Sequence, residues 1–344
     1  MKAVLIGLGM VADTHLAALQ AAEGIDLQGV LARHKSSTEA FANKAANKLG
    51  HHVKEYENIK ELAGDQEIDF AIIATPPDSR TEIVATLAAA RIPMLMEKPV
   101  ERTLPAAQKI VSMCSDAGIP LAIIFQHRAR AVSQTLKKAV EDSKIGDIVS
   151  AELRVPWWRD QSYYDAPGRG TYQRDGGGVM ITQAIHTLDL ALWLLGPVKD
   201  LQALMHQTKL HKMEAEDWAG AVFRTTNGAV GHIIATTAAY PGTAECIRLH
   251  GTKGSAHLEA GTLTITRTNG STESYGNNAE SGGGADPMAF TYAWHQAIFE
   301  DFAQVVRNHT SPIASGKDAL HAHAFIDAME RSSASGQRVE LNAS

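Results

Sequence analysis

The chain has 344 residues, of which 44% are hydrophobic and 20% charged, and its formal net charge at pH 7 is −6. This composition is typical of a soluble globular protein, and the length predicts two domains rather than one core. The negative charge and the lack of a basic stripe argue against nucleic-acid binding. No run approaches the roughly 18 apolar residues of a membrane helix, and the N-terminus does not resemble a signal peptide.

The chain contains only two cysteines, Cys114 and Cys246. Two residues so far apart give neither a disulfide framework nor the spacing of metal ligands, so we predict no metal site. Low cysteine usage fits a reducing compartment, and together with the missing membrane and signal segments it predicts a cytoplasmic protein.

The first fifteen residues, MKAVLIGLGMVADTH, combine a short apolar strand, a glycine-containing turn and a helix start. Gly7, Gly9 and Ala12 occupy the small-residue positions of the G-x-G-x-x-G/A arrangement in dinucleotide-binding βα turns. Gly7 permits a sharp turn, Gly9 lets the backbone approach a pyrophosphate, and Ala12 lets the helix pack closely on the strand. Met10 and Val11 complete the predicted phosphate-binding helix start. A tight turn without a ligand is the alternative.

Apolar segments alternate with helical patterns over the first 125 residues, which predicts a doubly wound parallel sheet. Capping-box spacings at Ser36–Glu39 and Ser79–Glu82 predict two of its helix starts. The predicted strands are Ala3–Ile6, Leu27–Ala32, Ile68–Thr75, Pro93–Glu97 and Leu121–Phe125, the last counted as the sixth.

Ligands of doubly wound sheets bind at the carboxyl ends of the strands. That rule places the glycine turn, Thr75 with Pro76, and Glu97 with Lys98 at one edge, as predicted cofactor contacts.

The residues after the second strand predict the choice of nicotinamide cofactor. An acidic residue there would bond a ribose 2′-hydroxyl and favour NAD. This chain has Ala32, Arg33 and His34 instead, and a guanidinium binds a 2′-phosphate well. We therefore predict NADP, with NAD as the alternative, and assign Arg33 and His34 to the cofactor site. If Arg33 is simply a solvated loop residue, either cofactor would be accepted.

Two polar residues are candidates for the chemistry itself. Lys98, in an EKP sequence after the fifth strand, would face a nicotinamide ring and steady a substrate oxygen. Residues 176–195, GGGVMITQAIHTLDLALWLL, predict a buried helix with Thr182 and His186 on one face. Asp189 could orient the ring of His186, and the ordinary pKa of histidine suits proton transfer. The structural alternatives are a solvated lysine and a core histidine.

Together these motifs resemble the Gfo/Idh/MocA oxidoreductase family. The resemblance rests on GxGxxA at the N-terminus, ATPP after the fourth strand, EKP after the fifth, and GGG…QAIHTLDL…WLLG. A similar C-terminal pattern runs from His295 to Ala319, so the resemblance covers essentially the full chain.

The resemblance implies an N-terminal Rossmann domain, placed at residues 1–124, and an α+β domain at 125–344 with an open, mostly antiparallel sheet. It also implies NAD(P)-dependent oxidation or reduction of a sugar or polyol hydroxyl, with Lys98 and His186 catalytic.

Two positions depart from the family pattern. Thr182 stands where the family usually has an acidic residue, and a threonine cannot replace a carboxylate in proton transfer. Proton transfer would then fall on His186 or Lys98, while Thr182 could still hydrogen-bond a substrate hydroxyl. Arg80 replaces a histidine common after the TP motif, and the sequence predicts no consequence for that change.

Residues 157–175, WWRDQSYYDAPGRGTYQRD, form the predicted substrate segment. Aromatic faces can stack on sugar CH surfaces, and arginines can bond hydroxyls, carboxylates or phosphates. The predicted substrate contacts are Arg159, Tyr163, Tyr164 and Arg169. The WWR…YY…RGT run resembles family members that oxidise nucleotide-linked amino-sugar acids. The alternative is that these aromatic residues only pack one domain against the other.

The second half predicts a meandering sheet with a hairpin turn at Asn227-Gly228. Because an exposed sheet face is a liability, we expect a second subunit to cover it in a homodimer or homotetramer. Asn269–Asp286 predicts a mobile loop, and Phe290–Asn308 an amphipathic helix with His295 either in a cleft or at the surface. The predicted strands are Asp200–Thr208, Trp218–Arg224, Ala229–Thr237, Cys246–His250, Ser255–Leu258 and Thr262–Thr266, before a last helix, Asp318–Ser333, and a last strand, Arg338–Leu341.

The preferred hypothesis is a dehydrogenase or reductase of a sugar, polyol or sugar derivative. Two alternatives stay open: a glycosidase of the same fold that retains NAD, and a non-catalytic sugar or dinucleotide sensor.

Overall fold

The structure, a computed structural model, describes residues 1–277 and 290–341 in two compact units. The first unit contains Met1–Glu101, Pro105–Ala129 and Thr291–Ala319, and the second contains the other described residues. The division into domains at residue 124 stays a prediction, from which these units differ because Thr291–Ala319 packs with the first. No helix in the described ranges is long and apolar enough to cross a membrane.

The first unit is built on a six-stranded parallel sheet of order β3-β2-β1-β4-β5-β6, the doubly wound arrangement that the sequence predicts. Its strands are β1 Lys2–Ile6, β2 Asp26–Leu31, β3 Lys54–Glu55, β4 Phe70–Ile73, β5 Met94–Glu97 and β6 Leu121–Ile124. Its helices are α1 Ala12–Ala21, α2 Lys35–Leu49, α3 Ile59–Ala63, α4 Arg80–Ala89, α5 Leu104–Asp116 and α9 Ala293–Asn308.

Strands β1, β4, β5 and β6 are almost wholly apolar because helices cover both faces of the sheet, whereas both residues of edge strand β3 are charged. All four residues of β4 are fully buried, and the ring of Phe70 meets Phe302 of α9 edge-on at 5.5 Å. Helix α9 thus supplies core side chains to a sheet formed more than 160 residues earlier in the chain. His295 on this helix is buried, so of the two positions predicted for it the surface one is wrong.

The two predicted helix starts lie within one residue of the observed ones, but neither predicted capping box forms. Helix α2 begins at Lys35, one residue before the predicted cap, and His34 makes no capping bond through its side chain. The hydroxyl of Ser79 donates to the carbonyl of Pro76 within a 3₁₀ turn instead of capping α4.

The second unit is built on a nine-stranded mixed sheet of order β14-β13-β12-β11-β7-β10-β9-β8-β15. Every neighbouring pair is antiparallel except β7 with β10, which confirms the predicted mostly antiparallel sheet. Its strands are β7 Ile148–Pro156, β8 Val198–His206, β9 Trp218–Thr225, β10 Val230–Thr236, β11 Cys246–Gly251, β12 Gly254–Glu259, β13 Thr262–Arg267, β14 Thr272–Gly276 and β15 Val339–Glu340. Its helices are α6 Ala131–Glu141, α7 Gln161–Asp165, α8 Ile185–Leu195 and most of α10 Gly316–Ser335.

Two parts of this sheet differ from the sequence prediction. Strand β7, which lies near the middle of the sheet, was not predicted, although its residues alternate between buried and more exposed. Strand β14 lies inside Asn269–Asp286, so the prediction of a mobile loop is wrong for Thr272–Gly276. The part of that prediction from residue 278 on lies outside the described residues.

One face of the nine-stranded sheet packs against helices, and Phe223 of β9 meets Phe325 of α10 edge-on at 5.6 Å. The opposite face carries large apolar side chains that are 43–61% exposed in the isolated chain: Leu204, Val222, Val230 and Ile234. We call these four residues the open-face patch.

Candidate active site

The glycine turn after β1 has the shape that a bound dinucleotide requires. Gly7 has φ +96°, and a Cβ at this position would lie 2.6 Å from backbone atoms of Ala74 and Thr75. Only glycine fits there. A Cβ at Gly9, by contrast, would meet no atom within 4 Å, so open space lies above its backbone. Helix α1 then begins at Ala12, and no side chain caps it. Backbone N–H groups at the start of this helix can therefore bind a phosphate. These residues fit a dinucleotide.

The other predicted cofactor residues lie at the same edge of the sheet. The registers pair Ile6 with Leu31 on one side and with Ile73 on the other, so β1, β2 and β4 end level. Arg33 and His34 follow β2 as exposed residues, and Thr75 and Pro76 follow β4. Met10 and Val11 lie in the glycine turn itself, and Met10 is 53% exposed. Their contacts with a cofactor stay predictions.

Glu97, the last residue of β5, belongs to a buried cluster. Its Oε1 lies 2.9 Å from Nε2 of His15 and 3.4 Å from Nε2 of His295, and all three side chains are buried. Burial alone would raise the pKa of Glu97, but hydrogen bonds from both histidines outweigh it and hold that pKa well below its ordinary value. Its Oε2 accepts a bond of 3.2 Å from the backbone N–H of Lys98. The Glu97 carboxylate therefore fixes the start of the EKP segment.

Among residues 1–277 and 290–341, two side-chain groups have donor atoms close enough together to hold a cation. One is the buried cluster just described, and the other consists of Cys246, His257 and Glu259 on the second unit's sheet. Sequence spacing did not indicate either group. Hydrogen-bond geometry accounts for the first group without an ion, so the absence of a metal site stays a prediction.

Arg80 is 2% exposed at the start of α4, and its guanidinium donates only to main-chain carbonyls among the contacts described. Burial lowers its pKa to about 10, so the group carries its charge at neutral pH. This residue, to which the sequence assigned no consequence, joins the segments that contain Thr75 and Lys98.

In the second unit, the helix that carries His186 begins with a π-helical segment, Met180–Ala184. Such segments are rare in proteins, and those that occur are often located at functional sites. Glu216 holds its start: the two carboxylate oxygens accept from the backbone N–H groups of Gly178 at 2.9 Å and Met180 at 3.1 Å. The approach is so close that a Cβ at Gly178 would lie 1.7 Å from the carbonyl oxygen of Glu216. Glycine at this position is therefore a packing requirement.

The predicted catalytic helix is as buried as the sequence indicates. His186 is 5% exposed and Asp189 is 1% exposed, and both lie on α8. The hydroxyl of Thr182 donates to the carbonyl of Gly178 at 2.5 Å. Thr182 is thus engaged in the π-helical turn, and its contact with a substrate stays a prediction.

The predicted substrate segment forms a stacked aromatic and arginine cluster. The Arg159 guanidinium lies 5.6 Å from the ring of Tyr163, and the Arg169 guanidinium lies 5.0 Å from the same ring. Tyr164 is buried, with its hydroxyl 2.6 Å from that of Thr237. Tyr163 and Arg169 are half-buried and retain accessible surface, whereas Arg159 is 2% exposed. This cluster provides both packing and a polar, aromatic surface.

Two regions that match known protein families together cover most of the chain. Residues 1–125 match the oxidoreductase family with an NAD-binding Rossmann fold, and residues 133–257 match the GFO/IDH/MocA C-terminal domain. Fold and turn geometry agree with these matches and define a nicotinamide-dependent oxidoreductase. The chain belongs to the Gfo/Idh/MocA family, which confirms the resemblance seen in its motifs.

Relatives span the whole chain at low identity. D-apiose dehydrogenase of Rhizobium rhizogenes is 27% identical across 100% of this chain and 98% of its own length. Inositol 2-dehydrogenase of Rhizobium meliloti is 24% identical across 98% of both. The WlbA dehydrogenase of Bordetella pertussis, in complex with NADH and UDP-GlcNAcA, has a TM-score of 0.84 and 25% identity, covering 100% of this chain and 98% of that one.

Proposed function

We propose that this protein transfers a hydride between a nicotinamide nucleotide and a hydroxyl or keto carbon of a sugar, polyol or sugar derivative. The observation that carries the proposal is a lysine, Lys98, directly after β5 at the carboxyl edge of a sheet built to bind a dinucleotide. Relatives named as apiose and inositol dehydrogenases support a carbohydrate or polyol substrate.

In this proposal the chain's own residues handle the proton and the oxygen charge. When bound, the nicotinamide ring supplies the hydride acceptor or donor. The Lys98 ammonium would donate a hydrogen bond to the substrate oxygen and stabilise negative charge as the C–H bond breaks. His186 would take the hydroxyl proton, and its burial would exclude water from that transfer. Thr182 can accept or donate a hydrogen bond but cannot take this role.

We propose that Tyr163 and Arg169 contact the substrate, with Arg159 and Tyr164 supporting them. Tyr163 offers a ring face for sugar CH groups, and Arg169 would pair with an acidic substituent. A sugar acid linked to a nucleotide fits this chemistry, and the WlbA dehydrogenase structure contains UDP-GlcNAcA. An Arg169→Lys variant should raise KM for a sugar acid at least about tenfold while changing KM for a neutral polyol little.

We propose NADP as the preferred cofactor, because Arg33 is exposed after β2 where an acidic residue would favour NAD. Fluorescence titration with NADPH and NADH tests this directly. NADPH should bind at least about tenfold more tightly, and Arg33→Ala should remove the difference. Equal affinities in the wild-type protein would overturn the assignment, and NAD retained through purification would favour the glycosidase alternative.

We also propose that the open-face patch is covered by a second copy of the chain, in a homodimer or homotetramer. Four large apolar side chains exposed on one sheet face support this arrangement. A cytoplasmic location is proposed because Cys114 and Cys246 are both free thiols.

The experiment that tests the function is a substrate screen with purified protein, NADP or NAD, and a panel of sugars, polyols and sugar acids. Formation of reduced nucleotide is the measurement. Lys98→Ala should lower kcat at least about 100-fold, whereas Lys109→Ala, an exposed lysine on α5, should leave it unchanged. Nucleotide binding without turnover of any member of the panel would contradict the proposal.

A further inference from the structure

We propose that Arg80 is a positioning residue for catalysis: its guanidinium fixes the backbone on both sides of Lys98 and ties it to Thr75. The inference rests on the proposed function, because it requires Lys98 to act on the substrate. Arg80 itself is not placed in contact with substrate or cofactor, so it would act on the reaction through the segments that contain Lys98 and Thr75.

The contacts join the ends of two neighbouring strands. Nη1 of Arg80 donates to the carbonyl of Glu97 at 2.5 Å and to the carbonyl of Pro99, the residues immediately before and after Lys98. Nε and Nη2 both donate to the carbonyl of Thr75, at 3.1 and 2.7 Å. One planar group thus holds the segment after β4 and the segment after β5 in a fixed relation.

The chemistry of this site requires a guanidinium. Its donors form a rigid planar fork, so Nε and Nη2 can bind one carbonyl while Nη1 binds others. A lysine ammonium is a single point, and a neutral histidine has one N–H, so neither can bridge the two segments in the same way. Taking a charged group out of water is costly, and these carbonyls are its described hydrogen-bond acceptors. A buried cation bound to backbone in this way contributes more to the relative position of the two segments than to the free energy of unfolding.

The carboxylate of Glu97 completes the restraint. Its Oε2 accepts from the N–H of Lys98, so both polar groups of the Glu97–Lys98 peptide and the carbonyl of Pro99 are engaged. Rotation of the backbone at Lys98 would break several of these bonds together. The Lys98 side chain therefore leaves the sheet edge from a fixed Cα position.

A double-mutant cycle tests the inference. Arg80→Lys and Lys98→Ala are compared singly and together, by single-turnover formation of reduced nucleotide with the substrate found in the screen. Arg80→Lys alone should lower the rate at least about tenfold, since small misplacements of catalytic groups are costly. In the Lys98→Ala background the same change should alter the rate less than about twofold. Dissociation constants for the nucleotide, measured by fluorescence, should stay within about twofold of the wild-type value.

The possible outcomes separate the inference from the function on which it rests. An equal fold-loss from Arg80→Lys in both backgrounds would show a general structural role and overturn the positioning role. Lys98→Ala with unchanged activity would instead overturn the proposed function.

If Arg80→Lys does not yield folded protein by circular dichroism, Arg80→His replaces it, since histidine is the residue that the family pattern places here. That variant should show the same dependence on Lys98, and an equal loss with and without Lys98 would again overturn the inference.

Discussion

Nε2 of His15 lies 2.9 Å from Oε1 of Glu97, inside the first unit, with the histidine fully buried. Burial lowers the pKa of His15 below its ordinary value of 6.5, although Glu97 opposes that shift. A neutral histidine therefore donates to an ionised carboxylate at neutral pH. The pair lies next to the backbone of Lys98, so its protonation is linked to the integrity of the site.

The lowered pKa of His15 predicts a loss of stability in mild acid. The unfolded chain binds a proton near pH 6.5 but the folded protein does not, so the free energy of unfolding should fall as pH drops below that value. Each such group contributes a slope of at most about 1.4 kcal/mol per pH unit. Urea unfolding between pH 7.5 and 5.5 should show a smaller slope for His15→Gln than for the wild-type protein.

The matched control for this prediction is His52→Gln, because His52 is exposed in the same unit. It measures the effect of a histidine-to-glutamine change outside the buried cluster, with which the change in slope for His15→Gln is compared. A His15→Gln variant with the wild-type slope would show that His15 takes up its proton equally in the folded and unfolded states.

The glycine turn predicts opposite effects for two similar substitutions. Gly7→Ala should unfold or strongly destabilise the protein, because the new Cβ would lie 2.6 Å from backbone in a left-handed conformation. Gly9→Ala should fold with a wild-type Tm, because its Cβ meets nothing within 4 Å. The same Cβ should weaken nucleotide binding at least about tenfold by occupying the space for the pyrophosphate. Calorimetry and fluorescence titration measure both effects, and unchanged binding by Gly9→Ala would refute the proposed role of the turn.

The carboxylate of Glu216 should be essential to the helix that carries His186. Glu216→Ala leaves the buried N–H groups of Gly178 and Met180 without their acceptor, at a cost of about 3 kcal/mol of unfolding free energy. Glu214→Ala, an exposed neighbour, should change stability by less than about 0.5 kcal/mol. Urea unfolding monitored by tryptophan fluorescence compares the two, and equal small losses would show that the π-helical start does not depend on Glu216.

The open-face patch predicts the effect of a charge on assembly. Val222→Lys should convert the oligomer into monomers, measured by sedimentation velocity, because it places an ammonium in the proposed interface. Val149→Lys is the control: Val149 is 49% exposed and is not part of the open-face patch. A wild-type protein that is already monomeric at micromolar concentration would contradict the proposed interface.

The sequence predicts the fold well where the pattern is local. Continuous apolar runs such as Phe70–Ile73 indicate strands covered on both faces, and Asn227-Gly228 correctly places the β9–β10 hairpin. Strand β7 could have been found, because its residues 149–155 alternate between apolar and polar. The capping boxes failed because a favourable spacing does not ensure that a side chain turns toward the free N–H groups.

The interior of the site could not be predicted in the same way. Arg80 binds carbonyls 17 and 19 residues away, and Glu216 caps a helix start 38 residues before it. Such contacts depend on tertiary packing, and neither residue carries a local signal for its partner. His295 reaches Glu97 because α9 returns to the first unit, a connection that helical periodicity does not encode.

The most direct test of hydride transfer follows the hydrogen itself. The substrate from the screen, deuterated at its carbinol carbon, is incubated with enzyme and oxidised nucleotide, and the nucleotide is analysed by mass spectrometry. We predict one deuterium per reduced nicotinamide formed by the wild-type protein, and a rate of deuterium transfer at least about 100-fold lower in Lys98→Ala and in His186→Ala. Reduced nucleotide without deuterium, or deuterium transfer at the wild-type rate in both variants, would contradict the mechanism proposed for this site.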